Sequence, residues 1–299
     1  MIRLISHKNI TGIFFSLLLF AFYGCIISYS TSVPWLLLLG LFAEGVCLNY
    51  LCYRYGILGK NTALPLVLFS VLVGLIILDL SVEHIEYGFL FLLAMYSVYE
   101  SKDHPKKQEY LIFLGIGIGI TQAFAHQSFL LILPVIVLFF QEGTLSRNGF
   151  TLFIMYFLMT IASIAGIIFI LGDVENLFIL FPQIVTHHIG ITNPMLLLIL
   201  PILGISIIYH LIHLNQYKFR FPNLSKNINY TFLVQFVLGS VLVFIYPNQF
   251  LLSYSIMAIV IILSFAFAYQ EDSVFANALF TSIIISTLGW LIISQILFL

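Results

Sequence analysis

Two sets of ionisable side chains in this 299-residue chain could do chemistry. The first is one carboxylate, Glu44, inside the apolar run WLLLLGLFAEGVCLNYLCYR. An acid among leucines could relay a proton or contact a substrate, or it could sit protonated on a Tyr, Ser or Thr of a neighbouring segment. The second set lies in polar stretches between apolar runs. It comprises Asp79, Glu83, His84 and Glu86, then His126 and Gln127, then Asp173, Glu175, Gln183, His187, His188 and Asn193. Carboxylates and imidazoles gathered at one end of a bundle could supply a general base or bind a divalent metal. If Asp79 opens a helical turn, Glu83 and Glu86 follow at i+4 and i+7 on its side. Asp79 and Glu83 are then the candidate metal ligands, and Glu83 or Glu86 the candidate base. Glu44, His126, Gln127, His187 and His188 are the candidate substrate contacts. The plainer alternative is that these connections are polar because water surrounds them. His187 and His188 are adjacent and diverge on a helix. His210 and His213 share a helix face, but no further ligand is evident nearby, so they read as interfacial.

The elements that must position these groups are helices in lipid. Hydrophobic residues make up 62% of the chain and charged ones 8%, against roughly a quarter charged in a soluble domain. With a net charge of −1, nucleic acid is not an expected partner. A spanning helix needs about 20 apolar residues. On that measure the candidate spans are 11–31, 33–53, 63–81, 86–100, 110–126, 128–141, 149–172, 194–214, 231–247, 250–270 and 274–298. The expected fold is an all-α polytopic integral membrane bundle of ten or eleven transmembrane helices. The first apolar run is expected to stay as a helix rather than be cleaved, because Phe22 and Tyr23 ahead of Gly24-Cys25 suit no processing site.

The basic residues orient the bundle. Arg3 and Lys8 precede the first span. Arg54 and Lys60 follow the second, and Lys102, Lys106 and Lys107 the fourth. Arg147 follows the sixth, and Lys218, Arg220 and Lys226 the eighth. The odd connections hold no Lys or Arg, which puts the N-terminus in the cytoplasm and the odd connections outside. The last connection should lie inside but carries only Glu271 and Asp272, and acidic residues weigh little in this rule. Segment 174–185 is expected to lie in the outer interface or to re-enter the membrane.

Other features read as packing. Gly115 and Gly119 form a small-xxx-small pair around Gly117, which lets helices approach closely. Trp35, Tyr53, Tyr55, Tyr87 and Tyr110 sit at span ends, as an aromatic belt would. Cys25, Cys47 and Cys52 lack metal or redox spacing and read as small core residues.

The stretch from Gly115 to Phe140, with Thr121-Gln122, His126, Ser128 and Pro134 in a leucine-rich run, resembles a hairpin of the C-type (GT-C) glycosyltransferases. The resemblance covers residues 1–172, taken as a seven-span module, with 173–299 as an interfacial segment plus C-terminal helices. It implies a protein of the bacterial cytoplasmic membrane that serves cell-envelope assembly with a polyprenyl-phosphate-linked substrate, as an enzyme or as a non-catalytic partner of other membrane subunits. It also implies an acid in the first outer loop, a base or a ligand for a divalent metal. That loop here is Ser30-Thr31-Ser32-Val33-Pro34, so the acids of Asp79–Glu86 would have to substitute. The chain also resembles an uncharacterised bacterial polytopic family sometimes labelled β-carotene 15,15′-monooxygenase. That label implies an iron held by several histidines, which the split of histidines between the two faces does not suit. Two alternatives stand beside the GT-C expectation: a transporter or channel coupled through Glu44, and a structural membrane subunit.

Overall fold

Apolar runs in a medium without water must close their own backbone hydrogen bonds, and helices do so within one segment. In the computed structural model every regular element among the described residues is a helix, with no strand. The structure describes residues 2–7, 9–30, 35–74, 76–77, 82–103, 109–124, 131–142, 147–171, 201, 204–209, 211–212, 224–245 and 251–298. These helices are α1 (Ile2–His7), α2 (Asn9–Ser30), α3 (Trp35–Arg54), α4 (Leu64–Val73), α5 (Val82–Asp103), α6 (Glu109–Phe124), α7 (Ile132–Glu142) and α8 (Arg147–Ile170). Beyond residues 201–212, which are described in part as helix, come α9 (Leu224–Ile245), α10 (Leu251–Tyr269) and α11 (Val274–Phe298). Four helices are long and apolar enough to cross a membrane: α2, α3, α8 and α11, while α4, α6, α7, α9 and α10 hold shorter apolar stretches among the described residues.

The chain divides into two compact units. Residues 1–85, 189–233 and 256–299 form the first, and residues 86–188 and 234–255 the second. In the first unit α2 and α3 pack on α4, which α1 and α11 also touch. All ten residues of α4 are buried. A helix apolar on every side belongs in an interior, and α4 is the centre of this unit.

The expected span 63–81 does not form one helix. α4 stops at Gly74 after ten residues, about 15 Å of rise. Buried Tyr23 of α2 explains the stop. Its hydroxyl donates to the Ser70 carbonyl at 2.9 Å, the acceptor that the Gly74 N–H would use in a continuing α-helix. The Gly74 N–H instead donates to Val71 O at 3.1 Å, and the Ile76 N–H to Val73 O at 3.0 Å. The chain has tightened into 3₁₀ turns. The expected span 86–100 is longer in the structure, because α5 starts at Val82 and ends at Asp103. Glu83 and His84 therefore belong to a helical turn rather than a loop, and an acid is favoured in a first turn by the helix dipole.

In the second unit α6 packs along α8. A Cβ on Gly115 would stand 2.6 Å from Phe153 O and 3.1 Å from Phe157 N, and one on Gly119 would stand 2.7 Å from Thr160 Cβ. The small-xxx-small pair therefore does set the α6–α8 approach. α9 and α10 meet where the buried Tyr254 hydroxyl donates to Gln235 Oε1 at 2.6 Å, with the Phe91 ring edge-on to Tyr254 at 4.9 Å. α8 leaves Met155, Leu158, Met159, Ile167, Phe169 and Ile170 exposed.

Two smaller expectations change. Cys52 is buried, but Cys25 and Cys47 are exposed, so only one of the three is a core residue. Trp35 and Tyr53 are exposed at the ends of α3, whereas Tyr87 is buried and belongs to the core, not to an interfacial belt.

Candidate functional site: a buried carboxylate in the first unit

Glu44 is the tenth residue of the twenty-residue α3, halfway along its length. The buried residues of α3 are Leu38, Leu41, Glu44, Gly45, Leu48, Leu51 and Cys52, a helical stripe of the kind that faces a core. Glu44 lies within that stripe and is 1% exposed. Its neighbour Gly45 shows what the stripe faces: a Cβ there would stand 2.7 Å from Phe69 Cδ1 and 3.0 Å from Leu66 Cδ1 of α4. The carboxylate thus lies where two apolar helices close on one another. An ionised acid at the centre of a membrane helix costs about 2.5–3.5 kcal/mol on insertion scales.

A second ionisable group is brought toward the same helix. A Cβ on Gly40 would stand 2.9 Å from Ile85 Cδ1, so the start of α5 touches α3 one turn from Glu44. The residue before Ile85 is His84, which is fully buried. It lies in the first turn of α5. An imidazole can accept a proton at one ring nitrogen and donate one at the other. Reading it by residue type in a polar stretch suggested a solvated outer group, and the structure buries it. No sequence signal separated His84 from its exposed-looking neighbours; in the structure the next residue, Ile85, stands against Gly40 of α3.

The other candidates fare differently. Glu86 is half-buried in α5, within the second unit. The backbone of Glu83 is helical, and its side chain lies outside the described residues. Asp79, His126, Gln127, His187 and His188 also lie outside them, as do His210, His213 and segment 174–185. The i+4 and i+7 arrangement expected from Asp79 therefore has no described counterpart. Among the described residues no three His, Cys, Asp or Glu side chains come together as a metal site.

The charged connections of the first unit meet at one end. Lys60 Nζ donates to Ala268 O at 2.8 Å, lies 3.5 Å from Glu271 Oε1 and sits over the Tyr269 ring at 5.0 Å. The Tyr269 hydroxyl donates to Leu58 O at 2.7 Å. Gly59 allows this clasp: its φ is +63°, and a Cβ would stand 2.6 Å from the Tyr269 hydroxyl. Arg3 Nη1 lies 3.7 Å from Asp272 Oδ1, and the Ile2 N–H donates to Asn277 Oδ1 at 3.1 Å. Glu271 and Asp272, the acids of the last connection, are thus paired with cations from the N-terminus and from the connection after α3.

No protein-family model, curated protein or solved structure matches this chain.

Proposed function

We propose that this chain is a multi-pass protein of the cytoplasmic membrane that couples proton movement to transport, with Glu44 as the group that gains and loses the proton. One observation carries the reading: a carboxylate 1% exposed, midway along an apolar helix, on the stripe that packs against α4. Ionisable residues inside membranes are costly and mark proton and ion paths. His84, buried near the same helix, is the second group through which a proton would pass. The membrane setting draws support from the four long apolar helices and from the apolar side chains that α8 exposes. The inward N-terminus draws support from the Lys/Arg alternation. The meeting of Arg3, Lys60, Glu271 and Asp272 at one end of the first unit fits it, because the even connections and the N-terminus share a side in this topology.

The test is proton flux into liposomes that contain purified protein and an internal pH-sensitive dye, under an imposed pH gradient. Wild-type protein is expected to dissipate the gradient faster than empty liposomes, and Glu44→Gln to return the rate to that of empty liposomes. A wild-type rate equal to empty liposomes, or full flux in Glu44→Gln, contradicts the proposal.

A further inference from the structure

We infer that the first unit carries a binding site for a phospholipid whose headgroup holds a phosphate and a primary ammonium, at the N-terminal end of α11. An open cleft of about 620 Å³ lies there, with Arg3, Asp272, Val274, Thr281, Ser282 and Ile285 among its walls. Its polar end carries Arg3, Asp272 and Glu271; Glu271 is balanced by Lys60, and Arg3 Nη1 and Asp272 Oδ1 lie 3.7 Å apart with side chains 73% and 81% exposed. Exposed pairs of this kind hold one another weakly, so an incoming headgroup can part them. The neighbouring polar groups are engaged elsewhere. Glu271 faces Lys60. The Asn277 amide accepts from the Ile2 N–H and donates to Glu271 O and Ser273 O.

This pairing of charges selects the ligand. A simple anion would meet Asp272, and a simple cation would meet Arg3. A headgroup with both charges joined by two carbons can set its phosphate on the guanidinium fork and its ammonium on the carboxylate. Away from that end, α11 exposes Val274, Ala278, Ser282 and Ile285 at i, i+4, i+8 and i+11, a single helix face. Val274 is 85% and Ile285 64% exposed, and a Cβ on Gly289, one turn further, would meet nothing within 4 Å. A two-signed polar end that opens onto a mostly apolar strip, where the Thr281 and Ser282 hydroxyls donate back to their own helix, matches a headgroup followed by an acyl chain. A free zwitterion of the same charge would leave the strip uncovered. The site rests on the membrane reading but not on proton transfer at Glu44.

Native mass spectrometry of the full-length protein in detergent, with equimolar dioleoyl phosphatidylethanolamine, phosphatidylglycerol and phosphatidylcholine, tests it. Ethanolamine adducts are expected to exceed those of either other lipid by about fivefold, the scale of one exposed charge pair. Choline carries a positive charge but no N–H to donate. Asp272→Asn should remove the preference for ethanolamine over glycerol headgroups, and Arg3→Gln should lower ethanolamine adducts. Both positions are exposed, so circular dichroism should be unchanged in either variant. Equal adducts of all three lipids on the wild type, or an undiminished preference in both variants, overturns the site. A chain that fails to sediment with membranes would sink the membrane reading and this site together. One that sediments with them yet shows no ethanolamine preference would sink the site alone.

Discussion

At the scale of single residues, polar groups decide where this helical chain departs from a row of apolar cylinders. Tyr23 shows how one hydroxyl shapes an element. By taking the Ser70 carbonyl at 2.9 Å, it accompanies the switch of α4 to 3₁₀ turns at Gly74. Tyr23→Phe removes that bond at nearly constant volume and should cost about 0.6–1.7 kcal/mol, the range for interhelical bonds in membranes. Equilibrium unfolding in detergent micelles measures it, and an unchanged midpoint would count against the role. Glu44 was legible as an acid within an apolar helix from its run of leucines alone. His84 was not, because a histidine between Glu83 and Glu86 looks like a solvated residue until Ile85 is seen against Gly40.

At the scale of elements, long apolar runs announced themselves and short ones did not. α2, α3, α8 and α11 match the expected spans to within a few residues. Their length and composition are local properties, so the sequence shows them directly. The end of α4 depends on a hydroxyl forty-seven positions earlier in the chain, and no periodicity within 63–81 contains that information. The extra turns of α5 were hidden for a different reason: Glu83, Lys102 and Asp103 are unwelcome in an apolar span but acceptable in the end turns of a helix. The α6–α8 contact, by contrast, was readable from Gly115 and Gly119, since only glycine lets backbones come this close. Gly115→Ala should destabilise the protein by about 1–3 kcal/mol, the cost of overpacking, because the new methyl would strike the Phe153 carbonyl rather than a movable side chain. Gly166, beside which a Cβ meets nothing within 4 Å, is the control, and its alanine variant should unfold like the wild type. Equal midpoints for Gly115→Ala and Gly166→Ala would contradict the contact.

At the scale of the whole molecule, lipid is the expected solvent and cations set the expected threading. The eleven Lys and Arg residues alternate by connection, and that pattern was visible without coordinates because the rule concerns charge alone. The acidic last connection was the weak point of the pattern. In the structure Glu271 and Asp272 sit opposite Lys60 and Arg3. The polar landmarks of the GT-C resemblance, His126 and Ser128, lie outside the described residues, while Gln122 is 1% exposed in the body of α6. That resemblance remains an expectation about residues 1–172, beside the transport role proposed for Glu44. The proposed topology puts Arg3, Lys60 and Asp272 on the inner side of a membrane and Gln127 on the outer. Single cysteines introduced at Asp272 and Gln127, in a chain with Cys25, Cys47 and Cys52 replaced, test it through a membrane-impermeant maleimide. Gln127→Cys is predicted to label in intact cells and Asp272→Cys only after permeabilisation. Labelling of both positions in intact cells, or of Asp272→Cys alone, would rule this topology out.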